Sequence, residues 1–172
     1  MKEANHQNLK QEFAQAYDQY SDAIFRYCYM QVKNRSKSKD ITQDTFIKTW
    51  EYLSSGKEVE NLRAFLYRVA KNLIIDDSRK KKSSSLEEMT EKGFDVKSDK
   101  DEIALHESHF EKQATLDLIN RLKPKYRDVI VFRFVEDMSV KAIAEMLGES
   151  ENNISVRIHR GLDKLRDIIE EI

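Results

Sequence analysis

Apolar residues recur at helical spacing from about Leu9 to Lys82 and again from Glu102 to the C-terminus, and little in either stretch can break a helix. Four glycines and one proline serve 172 residues. That is too few for the turns of an all-β fold. The expected class is all-α, as two small helical domains joined by a flexible linker. The boundaries read as 1–82, 83–104 and 105–172. The linker range loses the helical period and gathers serines, a glycine and acids. Over Ser83–Leu105, seven acids stand against three lysines, a charge of −4.

The net charge of −1 announces no polyanionic partner, so one must be sought in local charge. Cys28, the one cysteine, sits among apolar residues in "RYCYM" and reads as a reduced core thiol. No apolar run approaches a span of ~18 residues, and "MKEANHQNLKQ" is no signal peptide, so a cytoplasmic protein is expected.

In the first domain a helix runs through "LKQEFAQAYDQYSDAIFRYCYMQVK", with a break expected near Tyr20–Asp22. Ser38 or Asp40 can cap a second helix whose Ile41, Thr45, Phe46, Trp50 and Leu53 turn inward. Its outer arc carries Asp40, Gln43, Asp44 and Lys48. Such a face repels nucleic acid; it is solvated or meets a basic protein surface. A third helix spans about Asn61 to Arg79, with Leu62, Leu66, Val69, Ala70 and Leu73 inward. The opposite arc carries Arg63, Tyr67, Lys71, Arg68, Arg79 and Asn72. Residues 61–82 hold seven basic and two acidic groups, a charge of +5. A solvated helix end would look similar. Cations interleaved with an aromatic and an amide also suit phosphates and an unstacked base.

The second domain contains "MSVKAIAEMLGESENNISVRIHRGL", which has helix-turn-helix spacing. Ser139 caps a short helix with Ile143, Ala144 and Leu147 inward. Gly148 supplies the positive φ of the turn. Ser150 caps the next helix, whose Ile154, Ile158, Leu162, Leu165 and Ile169 form one stripe. The far side carries Asn152, Ser155, Val156, His159 and Arg160, flanked by Asn153 and Arg157. Amides and arginines can bond base edges or phosphates, and Val156 can touch a thymine methyl. Lys123, Lys125, Arg127, Arg133 and Lys141 could add backbone contacts. A plain helical hairpin would leave that side solvated. Glu151–Ile172 holds four basic and five acidic residues, so only the first turns suit DNA.

Nothing points to an enzyme. His106 and His109 share a helix face without a third ligand, and read as surface histidines. There is no phosphate-cradling glycine loop and no nucleophile with a base. No catalytic residue, metal, cofactor or small-molecule substrate is expected.

In order and spacing, three stretches resemble the extracytoplasmic-function group of bacterial sigma factors. "DITQDTFIKTWEYL" is similar to the region that grips the β′ clamp helices of RNA polymerase. "NLRAFLYRVAKNLIIDDSRKKK" is similar to the region that opens and reads the −10 element, and "LKPKYRDVIVFRFVEDMSVKAIAEMLGESENNISVRIHRGLDKL" to the one that reads the −35 element. The resemblance implies a promoter-specificity subunit that recruits core polymerase and captures unpaired −10 bases. Asp40, Gln43 and Asp44 would face the clamp helices, with Trp50 in the core. Lys57, Asn61, Arg63, Tyr67, Arg68, Lys71, Asn72 and Arg79 would hold the −10 region. Ser150, Asn152, Asn153, Ser155, Val156, Arg157, His159 and Arg160 would lie at the −35 element. The implied partners are core RNA polymerase, through the β′ clamp helices and β flap, promoter DNA and an anti-sigma factor. Housekeeping relatives carry adjacent tryptophans as a wedge where this chain has Ala64 and Phe65, which implies weaker intrinsic melting. A coil of ~22 residues spans about 26 Å, against ~70 Å between boxes two helical turns apart, so the linker would be stretched on DNA. Two other functions fit the residues alone: a dimeric helix-turn-helix regulator binding duplex operator DNA without polymerase, and a helical interaction adaptor.

Overall fold

The computed structural model describes residues 2–87 and 115–171, with side chains described over 7–80 and 115–171. All regular structure among the described residues is helical. The chain divides into two compact units, Met1–Lys100 and Asp101–Ile172.

The first unit packs three helices, α1 (Lys2–Val32), α2 (Arg35–Ser54) and α3 (Leu62–Glu87), each against the other two. The break expected in α1 is absent. No glycine or proline stands near Tyr20–Asp22, and Ala16, Ile24, Tyr27 and Cys28 keep one buried line across it. The turn after α1 puts Lys33 at a left-handed φ of 54°. α2 starts earlier than expected. Asn34 is its N-cap, and its side-chain oxygen accepts from the Lys37 N–H at 2.9 Å. Ser38 is buried instead, in a row with Thr42, Thr45 and Thr49. Each of the four hydroxyls donates at 2.7 Å to the carbonyl one turn back, which lets polar side chains line a dry helix seam.

Beside that seam, Phe46 meets Tyr17 and Phe13 at ring separations of 4.8 and 6.1 Å, and Trp50 meets Phe13 at 5.1 Å. Trp50, expected in the core, is half-buried at its edge. Cys28 is fully buried, and burial pushes its thiol pKa up to about 11, against a smaller opposing hydrogen bond with Thr42. In α3, Leu66 and Ala70 are fully buried; Leu62, Val69 and Leu73 are half-buried. The helix continues past residue 82 to Glu87. The remainder of the expected linker, residues 88–104, lies outside the described residues, as do His106 and His109.

Among the described residues of the second unit, a helical stretch at 115–120 is followed by α4 (Pro124–Ile130). Pro124 occupies the first helical turn, where its missing N–H costs nothing. α4 passes directly into a π-helical turn, Val131–Val135. That turn is closed by the Glu136 N–H on the Val131 carbonyl and the Met138 N–H on the Phe132 carbonyl, both at 2.9 Å. It buries Val131 and Phe132 while leaving Phe134 and Val135 56% and 44% exposed. Asp137 leaves the turn at a φ of 48°.

α5 (Val140–Leu147) and α6 (Glu151–Glu170) follow. Ile143 and Ala144 are buried as expected, but Met146 rather than Leu147 completes that face. The stripe expected along α6 is buried only in its first half, at Ile154 and Ile158. Leu165 is half-buried, while Leu162 and Ile169 are exposed. The reason is length. α6 has 20 residues, whereas α4 and α5 have seven and eight, so the stripe outruns its partners. Gly161 is buried where α6 meets α4; a Cβ there would stand 3.0 Å from Ile130 Cγ1.

Candidate nucleic-acid and polymerase interfaces

Two caps and one glycine set the angle between α5 and α6. The Ser139 hydroxyl accepts from the Ala142 N–H at 3.1 Å, and the Ser150 hydroxyl from the Asn153 N–H at 3.2 Å. Gly148 sits between them at a left-handed φ of 66°. The next N–H, of Glu149, returns to the Ala144 carbonyl at 3.0 Å, closing the end of α5. The two serine caps and the glycine were legible from sequence.

From that fixed start, α6 exposes Asn152, Asn153, Ser155, Val156, His159 and Arg160. Val156 is 41% exposed, an apolar side chain among polar ones. Ser150 is exposed too, with its hydroxyl committed to the cap. Arg157 differs from its neighbours. It is half-buried, and its guanidinium is paired with the carboxylate of Glu149, which the sequence reading missed. His159 lies 3.7 Å from Asp163, one turn further on. Among the supporting cations, Lys123, Lys125 and Lys141 are exposed. Arg133 instead donates to the Met138 carbonyl at 3.0 Å, bracing the exit of the π turn.

On the first unit, Asn61 is exposed and caps α3, its side-chain oxygen accepting from the Ala64 N–H at 3.0 Å. Lys57 stands in the preceding loop with its ammonium 4.8 Å from the Tyr52 ring centroid. Arg68, Asn72 and Arg79 are exposed along α3, and Arg63 and Lys71 are half-buried. Tyr67 does not belong with them. Expected on the outer arc, it is fully buried, its ring edge-on to Tyr27 at 5.4 Å. α3 is packed by both α1 and α2, so its buried arc is wider than a one-sided helix would have. Ala64 and Phe65 are buried as well, so no aromatic pair is exposed at those two positions.

The third surface is the outer face of α2. Asp40, Gln43 and Asp44 are exposed on it together with Lys48. Ile47 stands among them, 54% exposed. The reading from sequence passed over it, although an isoleucine on a polar arc was itself the signal.

Comparison with known proteins bears on the family of the chain. The family model for sigma-70 region 2 matches residues 16–84, and that for sigma-70 region 4 matches residues 112–165. The extracytoplasmic-function (ECF) RNA polymerase sigma factor SigW of Bacillus subtilis is 30% identical over 172 residues, covering 93% of this chain and 90% of the relative. RNA polymerase sigma factor SigZ of the same organism is 29% identical, covering 90% and 85%. Among solved structures, the fold is shared with the sigma factor RpoE of Bartonella quintana, determined with the anti-sigma factor NepR. The TM-score is 0.73 at 20% identity, over 93% of this chain and 98% of that one. CnrH, solved with the cytosolic domain of CnrY, gives 0.68 at 21% identity, over 94% and 90%. The chain therefore belongs to the extracytoplasmic-function group of the sigma-70 family, the promoter-specificity subunits of RNA polymerase.

Proposed function

We propose that the first unit docks on core polymerase through Asp40, Gln43 and Asp44 of α2 and captures unpaired −10 bases beside Lys57 and Asn61. Arg63, Arg68, Lys71, Asn72 and Arg79 hold the strand along α3. The second unit sets α6 into the −35 major groove, with Asn152, Asn153, Ser155, Val156, His159 and Arg160 towards the DNA and Ser150 at the helix entry. Arg157 reaches DNA only when released from Glu149. The stretch that follows α3, from 88 to 104, spans the two boxes.

The carrying observation is that α6 leaves its amides, hydroxyl, arginine and valine exposed on one side of a rigidly capped helix-turn-helix. A carboxylate-bearing α2 and a cation-bearing α3 divide the labour on the other unit: acids suit a basic protein surface, and cations suit phosphates. A dimeric operator-binding regulator would leave the region 2 match without a purpose. The Bartonella relative was solved with an anti-sigma factor. A regulator of that kind is proposed as the third partner here. The site of action is that of RNA polymerase, in the cytoplasm, and no described helix is long and apolar enough to cross a membrane.

Run-off transcription with core polymerase, using the gene's own upstream region as template, tests the proposal. A transcript that depends on this protein is expected, and Asp44→Lys should abolish it by blocking polymerase binding while the fold survives. No protein-dependent start at any promoter tried would overturn the proposal.

A further inference from the structure

Lys57, Tyr52, Phe65 and Arg68 form one stack that ties the loop before α3 to the outer face of that helix. The Lys57 ammonium lies 4.8 Å from the Tyr52 ring centroid. The Tyr52 and Phe65 rings are 4.8 Å apart, tilted by 40°. The Arg68 guanidinium carbon lies 4.9 Å from the Phe65 centroid. The order is cation, ring, ring, cation. Its members come from the last turns of α2, from the loop, and from the first turns of α3. Phe65 is buried and Tyr52 half-buried, so the rings are set in the body of the unit. Both cations are exposed. Each ring attracts its cation through the negative face of its π-system, and this restrains two long side chains before any ligand arrives.

Resting on the reading that this unit handles unpaired −10 bases, we propose that Arg68, backed by Phe65, is the surface on which the last paired base of the melted junction stacks. A guanidinium is planar and weakly hydrated, and it stacks on aromatic faces; an ammonium is a strongly hydrated point charge. The base at a junction has lost its neighbour on one side and offers a bare π-face. Arg68 has a phenyl ring behind it and solvent beyond it. Its charge also attracts the flanking phosphate. The aromatic side chains at the start of α3 cannot take this part directly, because Phe65 and Tyr67 are both buried. The ring works one layer beneath the surface, and the guanidinium carries the flat face outward. Lys57, at the other end of the stack, has no flat face and serves as a phosphate contact.

The test compares Arg68→Lys with wild type in the polymerase holoenzyme, on a fully duplex promoter and on a single strand that carries the −10 bases but has no duplex edge. Lysine keeps the charge and loses the plane. On the duplex template, open-complex formation should fall about tenfold, the scale of one lost stacking contact. On the single strand, binding should stay within about twofold of wild type, and the salt dependence should not change, because the phosphate charge remains. Phe65→Leu, which keeps a buried apolar side chain but removes the ring, should give the same pattern. The double variant should be no worse than either single one. Full activity of Arg68→Lys on the duplex would overturn the proposal, since charge alone would suffice. So would equal losses on both DNAs, which would place Arg68 on the captured bases or the polymerase. Wild-type holoenzyme that neither opens the duplex nor binds the single strand would sink the underlying reading and this proposal with it.

Discussion

Replacing Glu149 by glutamine should weaken the fold and strengthen DNA binding together. The carboxylate is paired with Arg157, and the two side chains are 29% and 25% exposed. Exposed pairs contribute below about 1 kcal/mol, and breaking a buried one costs about 3–5 kcal/mol. A pair at this depth falls between, at about 1–2 kcal/mol, or about 4–16 °C in Tm for a domain of the second unit's size. The DNA effect has the opposite sign. The substitution removes an acid from the turn that leads into α6 and frees Arg157 for one more phosphate. One added contact steepens the slope of log K against log salt by about 0.9. Between 50 and 200 mM salt, that makes the gain over wild type about 3.5-fold larger at the lower concentration. Fluorescence anisotropy of the full chain on a −35 duplex across that range reads the slope, and a thermal melt reads stability. Arg157→Ala in the wild-type background should leave the slope unchanged, because that cation is already spoken for. A slope unmoved by Glu149→Gln, or affinity falling with stability, would refute the reasoning.

Three further outcomes follow from the core and the turns. Cys28 has its pKa raised from 9.0 to about 11, so its contribution is complete below pH 9 and is lost as pH rises towards 11. Urea unfolding should show wild type losing up to about 2–3 kcal/mol more than Cys28→Ala over that window; parallel curves would contradict it. Lys33 and Asp137 hold left-handed φ values of 54° and 48°. Glycine at either place should raise stability by about 0.5–1 kcal/mol, and a loss on chemical denaturation would show that these conformations carry no strain. Gly161→Leu should destabilise by about 2 kcal/mol or more, since even a Cβ there would crowd Ile130; an unchanged midpoint would mean that α4 moves away freely.

The features legible in the sequence were those decided within a few residues. Ser139, Gly148 and Ser150 act through their own side chains or φ values, so their roles survive any packing around them. The cap of α2 was read at Ser38 or Asp40, and the structure puts it at Asn34. The choice was made by burial, which draws Ser38 into the seam with Thr42. Tyr67 was misplaced because a helix wheel assumes one covered side, and α3 has two. Leu162 and Ile169 were misplaced for the converse reason, a stripe longer than anything it packs on. The Arg157–Glu149 pair and the stack from Lys57 to Arg68 join residues across turns, where periodicity says nothing.

The π-helical turn at Val131–Val135 has a consequence for how this unit tolerates insertion and deletion. Each residue added to or removed from a helix rotates everything after it by about 100°. The wide turn fits one residue more per turn than the α-helix before it, and so sets the heading on which the chain leaves α4 for the loop at Glu136. That exit heading is thus written in a count of five residues. Excising any one of them, however bland its side chain, would draw the Glu136 and Met138 N–H groups off the carbonyls that close the turn and leave the loop to Ser139 to absorb the change.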